Sequence, residues 1–304
     1  MTRRTEHPEA GVAQPEGAPA DRPRSAAGVL AAGAAIAGVA LAGAYALSRR
    51  RGGDAVDERA GYPPLDTPKP IAPDLWVADS RPLHTAGLVL PIRMTVMRLA
   101  GGDLLLHSPT RLTTDVVRAV EALGRVRHLV APNSAHWTFT EAWQRAYPGA
   151  IVWGAPGLRE RPQVQRSGLR IDRDLAAAAP EAWAGAIGQG VVAAGGFREV
   201  YLFHKASRTL VLTDLVQNME PAKLPPATRL FARLSAGADG TTPRYLRAVL
   251  RLGGAPVREQ VGAMLALAPE RVVFAHGRWF AEDGAARLAR AFSWLVPQGR
   301  WGGR

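Results

Sequence analysis

From residue 74 onward, apolar stretches with the two-residue period of strands alternate with stretches that have the 3.6-residue period of helices. In the first half the pattern predicts strands at residues 75–79, 92–99, 104–109, 127–133 and 150–156. Helices are predicted at residues 115–124 and 139–149, because Thr113, Thr114 and Thr140 are candidate N-caps and a glycine ends each segment. A Gly-Gly-Asp turn at residues 101–103 joins two of these strands into a predicted hairpin.

The second half repeats this arrangement. Strands are predicted at residues 198–204, 209–214 and 271–277, and the first two form a hairpin. Helices are predicted at residues 243–251, 256–268 and 282–295. Residues 215–240 form a less regular stretch. Two β-rich halves, each finished by helices, predict an α/β sandwich with its helices outside.

A different pattern precedes this domain. Residues 25–47 contain no charged residue and no proline. This stretch is long enough for a helix across a bilayer, since such a helix needs about 20 residues. We interpret this segment as an uncleaved transmembrane helix. The alternative is a cleaved signal peptide with Ala44-Tyr45-Ala46 as its cleavage site, but the apolar run is longer than the usual core of a signal.

The flanking segments complete the predicted organisation. Residues 1–24 have the composition of a disordered tail, and residues 48–73 have that of a Pro-rich extended linker. The predicted domain covers residues 74–296, and residues 297–304 form a short tail after it. Close to the apolar run, four arginines follow it (residues 49–51 and 59) and two precede it (residues 22 and 24), which favours a single-pass membrane protein with a cytoplasmic C-terminal domain.

The amino-acid composition excludes several kinds of site and partner. The chain has no cysteine, which excludes disulfides, thiolate metal sites and cysteine nucleophiles. The formal net charge is +12, but the arginines are scattered without aromatic interleaving. Nucleic acid is therefore not an expected partner. The expected partners are the membrane, through residues 25–47, and a small-molecule substrate of unknown identity.

Three polar side chains follow three of the predicted apolar strands. His136 lies in the loop after residues 127–133, Asp214 ends the strand at 209–214, and His276 lies near the end of the last strand, immediately before Gly277. A histidine at the end of a buried strand is a common way to direct a metal ligand or a base into a cleft. Taken singly, each of the three has an ordinary structural alternative as a cap or a loop hydrogen-bond partner.

The order of these segments resembles the DUF4336 family over residues 75–295. The motifs that carry the resemblance are Asn133 with His136, the segment FHKASRTL at residues 203–210, and Asp214. That family is similar in fold to the metallo-β-lactamase superfamily. The resemblance implies an αββα sandwich with its active site along one edge, between the two sheets.

The resemblance carries over only part of the superfamily's metal site. His136, Asp214 and His276 match three ligand positions, and Asn133 is a candidate weak oxygen ligand. The HxHxDH motif is otherwise absent, and the mid-chain histidine expected near residues 193–197 is missing. Two histidines and one carboxylate suffice for one divalent metal, namely zinc, iron or manganese, but not for two metals.

Two hypotheses of function follow. In the first, the domain is a membrane-anchored, metal-dependent hydrolase in which Asp214 is both a ligand and a catalytic residue. In the second, it is a degenerate relative that binds a ligand or partner at the membrane without catalysis. Three further residues have candidate roles. His107 is favoured as a buried structural histidine, with an additional or supporting ligand as the alternative, and Ser134 is discounted as a nucleophile. Arg278 is either a contact for an anionic substrate or an ordinary surface arginine.

Overall fold

The computed structural model describes residues 54–297. Its helices are α1 (Asp54–Ala60), α2 (Thr114–Glu121), α3 (Thr140–Ala146), α4 (Pro162–Gln165), α5 (Glu181–Ala184), α6 (Pro226–Leu234), α7 (Arg244–Leu252), α8 (Gly254–Ala266) and α9 (Gly284–Ala291). Its strands are β1 (Lys69–Ala72), β2 (Leu75–Thr85), β3 (Leu88–Arg98), β4 (Asp103–His107), β5 (Arg125–Ala131), β6 (Ile151–Gly154), β7 (Arg173–Asp174), β8 (Ile187–Ala194), β9 (Phe197–His204), β10 (Thr209–Val211) and β11 (Arg271–Val273).

The strands form two sheets. One sheet has seven strands in chain order, β1 to β7, antiparallel from β1 to β4 and parallel from β4 to β7. The other has the order β11-β10-β9-β8, in which only β10 and β11 are parallel. Both predicted hairpins, β3-β4 and β9-β10, are therefore confirmed.

Three apolar clusters show how the layers stack. One cluster lies between the sheets, because it joins residues of β2, β3, β4 and β5 to residues of β8, β9, β10 and β11. A second packs the seven-stranded sheet against α2 and α3, and a third packs the four-stranded sheet against α7, α8 and α9. The result is a helix–sheet–sheet–helix sandwich, as the sequence predicts.

Local sequence explains the start of α2, whereas the predicted cap of α3 is wrong, because Phe139 occupies the cap position and Thr140 is the first residue of the helix. The Thr113 hydroxyl accepts a hydrogen bond of 3.2 Å from the Val116 amide, which satisfies one of the unpaired N–H groups at the start of α2. Val116 and Val120 of that helix are fully buried against the sheet. The helix therefore combines a capped first turn with one apolar face.

The segment before β2 differs from the expected extended linker. Residues 48–73 include α1 and β1, and β1 pairs with β2. Ala60 is buried in a small cluster with residues of β3 and α6, and the Lys69 ammonium forms a 2.6 Å ion pair with Asp79. Because these contacts attach the segment to the sheet, the folded unit includes residues N-terminal to the expected boundary at 74.

Several further elements are absent from the sequence prediction, among them β8 and α6. Strand β8 reads IGQGVVAA, and its two glycines weaken the strand pattern. Position 190 must be a glycine, since a Cβ on Gly190 would lie 2.2 Å from the Tyr201 ring of the paired strand. Helix α6 lies within the stretch interpreted as irregular, and Pro226 occupies its first turn.

The predicted tail at residues 1–24, the predicted membrane span at 25–47 and all but the first residue of the tail at 297–304 lie outside the described residues. Among the helices within residues 54–297, none has both the length and the apolar character needed to span a bilayer.

Candidate metal centre

The three histidine and aspartate side chains expected to converge do lie together. His136 follows β5, Asp214 follows β10 and His276 follows β11, so strands of both sheets deliver them to one edge of the sandwich. One ligand atom from each residue lies within 4.8 Å of the other two. The His136 Nε2 is 3.4 Å from Asp214 Oδ2, and the His276 Nε2 is 3.2 Å from Asp214 Oδ1.

The orientation of His276 is fixed by the opposite sheet. Its Nδ1 lies 2.8 Å from the Pro91 carbonyl oxygen on β3, and a carbonyl can only accept, so Nδ1 carries a proton. The Nε2 of a neutral ring would then direct a lone pair at the Asp214 carboxylate. Two acceptors at 3.2 Å require a cation between them, either a proton or a metal ion.

The ring of His136 is held in a similar way. Its Nδ1 lies 2.7 Å from the Ser108 hydroxyl, and the ring centroids of His136 and His276 are 5.2 Å apart. Ser108 itself is buried and has a φ of +55°, in the left-handed region that few non-glycine residues adopt. This backbone conformation, immediately after β4, directs the hydroxyl toward the imidazole and leaves Nε2 facing the carboxylate.

Asn133 has a different role from the oxygen ligand that the sequence suggested. Its Oδ1 accepts hydrogen bonds from the amides of Ala135 and His136, at 2.8 and 2.9 Å. Because amides only donate, the side-chain oxygen must face them and the NH₂ group must face the site. The Nδ2 donates to Asp214 Oδ2 at 2.7 Å, so Asn133 orients the carboxylate and cannot offer an oxygen to a metal.

Glu199 is a site residue that the sequence reading missed. It is fully buried on β9, and its carboxylate accepts hydrogen bonds from the amides of Thr213, Asp214 and Leu215 at 2.7–3.5 Å. Asn133 Nδ2 lies 3.3 Å from the same carboxylate. Glu199 therefore holds the turn that carries Asp214. The available signal was an acidic residue at the start of the apolar stretch VYLFH.

The charges at the site shift several pKa values. Burial acts to raise the pKa of Asp214, but the charge and hydrogen bond of His136, followed by those of His276, outweigh it and hold this pKa well below its usual value. Burial acts to lower the pKa of His276, but the hydrogen bond and charge of Asp214 raise it overall. Burial and then the charge of Asp214 raise the pKa of Glu199. The histidines thus favour the ionised form of Asp214, whereas the charge of Asp214 disfavours the ionised form of Glu199.

Arg93 fixes the loop that carries His276. This buried side chain on β3 donates from Nη1 to the carbonyls of Phe274 and Gly277, at 2.9 and 2.8 Å. Its Nη2 forms a 2.7 Å ion pair with the buried Asp79. The two carbonyls flank His276 along the chain, so β3 holds the loop through Arg93 and the imidazole through Pro91.

Gly277 makes the close turn after His276 possible. Its φ is +95°, and a Cβ at this position would lie 2.1 Å from the Asn218 carbonyl oxygen. The Asn218 amide in turn donates to the His276 carbonyl at 3.0 Å. The glycine that follows the histidine is therefore required both by the backbone conformation and by the neighbouring chain.

The other candidate residues do not join the three candidate ligands. His107 is buried and donates to the Val200 carbonyl, while its Nε2 has no partner. Burial, and then the charge of His136, lower the pKa of His107 to about 3, so this ring is neutral. Arg278 lies at the surface, with its Nη1 3.8 Å from Glu220 Oε1. Within residues 54–297, the trio is the one cluster of three or more histidine and acidic groups close enough to share a metal ion.

Comparisons with solved structures agree with the architecture. A crystal structure of the DIM-1 metallo-β-lactamase is 11% identical, with a TM-score of 0.52 over 74% of this chain and 94% of that one. The same enzyme exposed to ceftazidime is 10% identical, with a TM-score of 0.51 over the same shares of the two chains. A metallo-β-lactamase from Pontibacter korlensis is 16% identical, with a TM-score of 0.47 over 76% of this chain and 99% of that one. At these identities the likeness of the first two structures shows a common fold and nothing about activity.

The sequence comparisons point to one family. No curated protein sequence matches this chain. The domain of unknown function DUF4336 matches residues 75–242, which is more than half of the chain and includes His136 and Asp214 but not His276. The chain therefore belongs to the DUF4336 family.

Proposed function

We propose that this protein is a metal-dependent hydrolase with a single divalent metal held by His136, Asp214 and His276. The observation that carries this proposal is the convergence of two imidazole Nε2 atoms on one carboxylate, with all three ligand atoms within 4.8 Å. The donor set, two nitrogens and a carboxylate, is one that zinc, iron and manganese sites use.

The geometry of the donors fits such an ion. The His136 Nε2 lies 3.4 Å from one oxygen of the Asp214 carboxylate and the His276 Nε2 lies 3.2 Å from the other, so both nitrogens are close enough to the carboxylate to share an ion with it. Both imidazoles are held through their Nδ1 atoms, which is the usual arrangement for histidines that bind metal through Nε2. The side chains are 10–18% exposed, which leaves an approach from solvent.

The residues of the chain prepare this site. A bound divalent cation would supply Lewis acidity and lower the pKa of coordinated water. Ser108 and the Pro91 carbonyl fix the two rings, and Asn133 fixes the carboxylate of Asp214. Asp214 remains ionised because its pKa is held low, so it can serve as a ligand and orient a water molecule. We assign it the catalytic role on this basis.

A panel of simple esters, lactones and phosphodiesters tests the proposed activity. The full chain is assayed after treatment with a chelator and again after addition of zinc, iron(II) or manganese. We expect hydrolysis of at least one class only with metal, and its loss in a His136→Ala/His276→Ala variant. His7→Ala, which removes a histidine far from the site in sequence, is the matched control and retains the activity. Activity that is equal with and without metal contradicts the proposal.

A second candidate function is supported by the same site. Protonated His276 and ionised Asp214 satisfy each other without any metal, and the HxHxDH motif is incomplete. In this alternative the trio is an ion-paired connection between the sheets, and the domain binds a ligand or partner without catalysis. The alternative predicts that the metal content of the purified protein does not depend on His136 and His276.

We also propose that residues 25–47 anchor the chain in a membrane, with the domain on the cytoplasmic side. The uncharged run of apolar and small residues and the arginines after it support this placement. The proposed partners are thus the membrane and a small-molecule substrate, and no nucleic acid partner is proposed.

A further inference from the structure

A pocket with two arginines lies beside the candidate metal centre. It is a shallow depression open to solvent, lined by residues of three loops, among them Ser134, Pro156, Gly157, Arg161, Gly196 and Arg198. Residues 155–161 follow β6, and residues 196–198 form the turn into β9. These two loops meet the loop that carries His136.

The two guanidinium groups face the pocket without a counter-charge. The Arg161 Nη2 donates to the Gly196 carbonyl at 2.9 Å, which attaches one loop to the other. The Arg198 Nη1 lies 3.7 Å from the position that a Cβ on Gly157 would occupy, so its head group lies over the first loop. Among the ion pairs of residues 54–297, none pairs Arg161 or Arg198 with a carboxylate.

Two other arginines of this part of the chain have carboxylate partners. Arg159, two residues before Arg161, pairs with Asp174 at 3.1 Å, and Arg170 pairs with Asp172 at 2.6 Å. Burial, and then the charge of Arg198, lower the pKa of Arg161, which places the two like charges close enough to repel each other. Two neighbouring guanidinium groups without a carboxylate, that of the partly buried Arg161 and that of the exposed Arg198, are an arrangement that a bound oxyanion would stabilise.

The position of the pocket connects it to the proposed chemistry. Ser134 lies between Asn133 and Ala135 in the chain. The Asn133 side chain donates to Asp214 and accepts a hydrogen bond from the Ala135 amide. Arg198 directly precedes Glu199, which holds the Asp214 turn. A ligand in this pocket would therefore lie against the same two segments that build the metal centre.

We propose that this pocket binds an oxyanion, a carboxylate or phosphate group, through the guanidinium groups of Arg161 and Arg198 and the hydroxyl of Ser134. The assignment of that group to the substrate rests on the proposed hydrolase function. The binding of the anion itself does not, because both arginines lie outside the metal ligands. The domain would then prefer substrates that carry a negative charge beside the bond that is cleaved.

Calorimetric titration of the full chain with inorganic phosphate, and separately with acetate, tests the pocket. The protein is first treated with a chelator, so that a metal ion cannot bind the anion. We expect saturable binding of at least one anion, weakened at least about tenfold in Arg161→Gln and in Arg198→Gln, and weakened by added salt. Arg198→Lys, which keeps the charge without the planar fork, falls between wild type and Arg198→Gln.

The controls separate this inference from the metal site. Arg159→Gln removes a neighbouring arginine that already has a partner, and it leaves anion binding unchanged. His136→Ala/His276→Ala abolishes metal binding but retains the anion site, so each proposal fails by a different measurement. Stronger binding of phosphate than of acetate assigns the pocket to phosphate groups, and the reverse assigns it to carboxylates. Absence of saturable binding to either anion, or equal binding by wild type and both glutamine variants, overturns the proposal.

Discussion

At the scale of single residues, the direction of one amide determines what Asn133 does. Its oxygen is occupied by two backbone amides, and its nitrogen lies between the carboxylates of Asp214 and Glu199. A buried donor between two acids stabilises both of them. The same position would be unfavourable for any side chain that only accepts hydrogen bonds.

Asn133→Asp tests this assignment. The substitution keeps the acceptor for the amides of Ala135 and His136 but places a third carboxylate beside Asp214 and Glu199. We expect a loss of about 2–4 kcal/mol of unfolding free energy at pH 7, measured by urea denaturation. The new carboxyl group would have a raised pKa, so the loss shrinks as the pH falls and the group is protonated. Asn218→Asp, where the amide donates to an Arg278 carbonyl near the surface, is the matched control and costs less.

The raised pKa of His276 predicts a pH dependence of stability in metal-free protein. Because the folded state binds this proton more tightly than the unfolded state, its contribution is fully present below the ordinary pKa of 6.5. That contribution is lost as the pH rises through the folded-state pKa. The lowered pKa of Asp214 acts in the opposite range, since its contribution is lost as the pH falls.

Urea denaturation of chelator-treated protein between pH 6 and pH 9 checks the histidine contribution. We expect the difference in unfolding free energy between wild type and His276→Gln to shrink as the pH rises. His204→Gln serves as the control, because burial lowers the pKa of His204 and its contribution changes only as the pH falls below 6.5. A difference that stays constant across the range would show that His276 is neutral in the folded, metal-free protein.

At the scale of secondary-structure elements, β3 connects the two sheets at the site. Pro91 and Arg93 alternate along this strand and contact the His276 loop from the seven-stranded sheet. The sequence of β3 gave no hint of this, because an arginine within an apolar strand reads equally well as an exposed position. Only the arrangement of the two sheets shows that Arg93 is buried and paired with Asp79.

Arg93→Lys tests this connection. Lysine keeps a positive charge near Asp79 but cannot also reach both carbonyls of the loop. We expect reduced stability and a loss of about 10–100-fold in metal affinity, as for other residues that orient metal ligands. Metal affinity is the informative measurement, because a purely structural role would leave it unchanged in the folded fraction. Arg98→Lys, at a half-exposed pair with Asp74, changes stability by less than about 1 kcal/mol and leaves metal affinity unchanged.

The elements also show which parts of the fold the sequence could predict. Strands rich in β-branched and aliphatic residues, such as β3, β5 and β9, have a clear pattern, and the residues at strand ends could be expected at one edge. Strand β8 lacks such a pattern because it contains two glycines, one of which, Gly190, accommodates the Tyr201 ring. The role of Glu199 depends on three amides of a different strand end, a contact that no local pattern encodes.

At the scale of the whole molecule, the predicted sandwich and its edge site are present, while the proposed membrane anchor lies outside the described residues. The segment between them is ordered against the domain from residue 54, with Lys69 paired to Asp79. An anchor at residues 25–47 would therefore be joined to the domain by only a few residues, and the domain would lie close to the bilayer.

Deletion of residues 25–47 tests the anchor. We expect the full chain to sediment with membranes and to resist extraction with alkaline carbonate, which removes proteins bound only by charge. The deletion variant should remain in the supernatant. Replacement of Arg49, Arg50 and Arg51 by glutamine is the control that keeps the apolar run, and it should still sediment. Equal distribution of the full chain and the deletion variant would contradict an anchor in this segment.

The central claim is that His136, Asp214 and His276 hold a metal ion, and the metal content of the purified full chain tests it most directly. Elemental analysis after reconstitution should find about one zinc, iron or manganese ion per chain in wild type and in His7→Ala. The His136→Ala/His276→Ala variant should have almost none. Equal, substoichiometric metal in all three proteins would contradict the account and leave the trio as an ion-paired connection between the sheets.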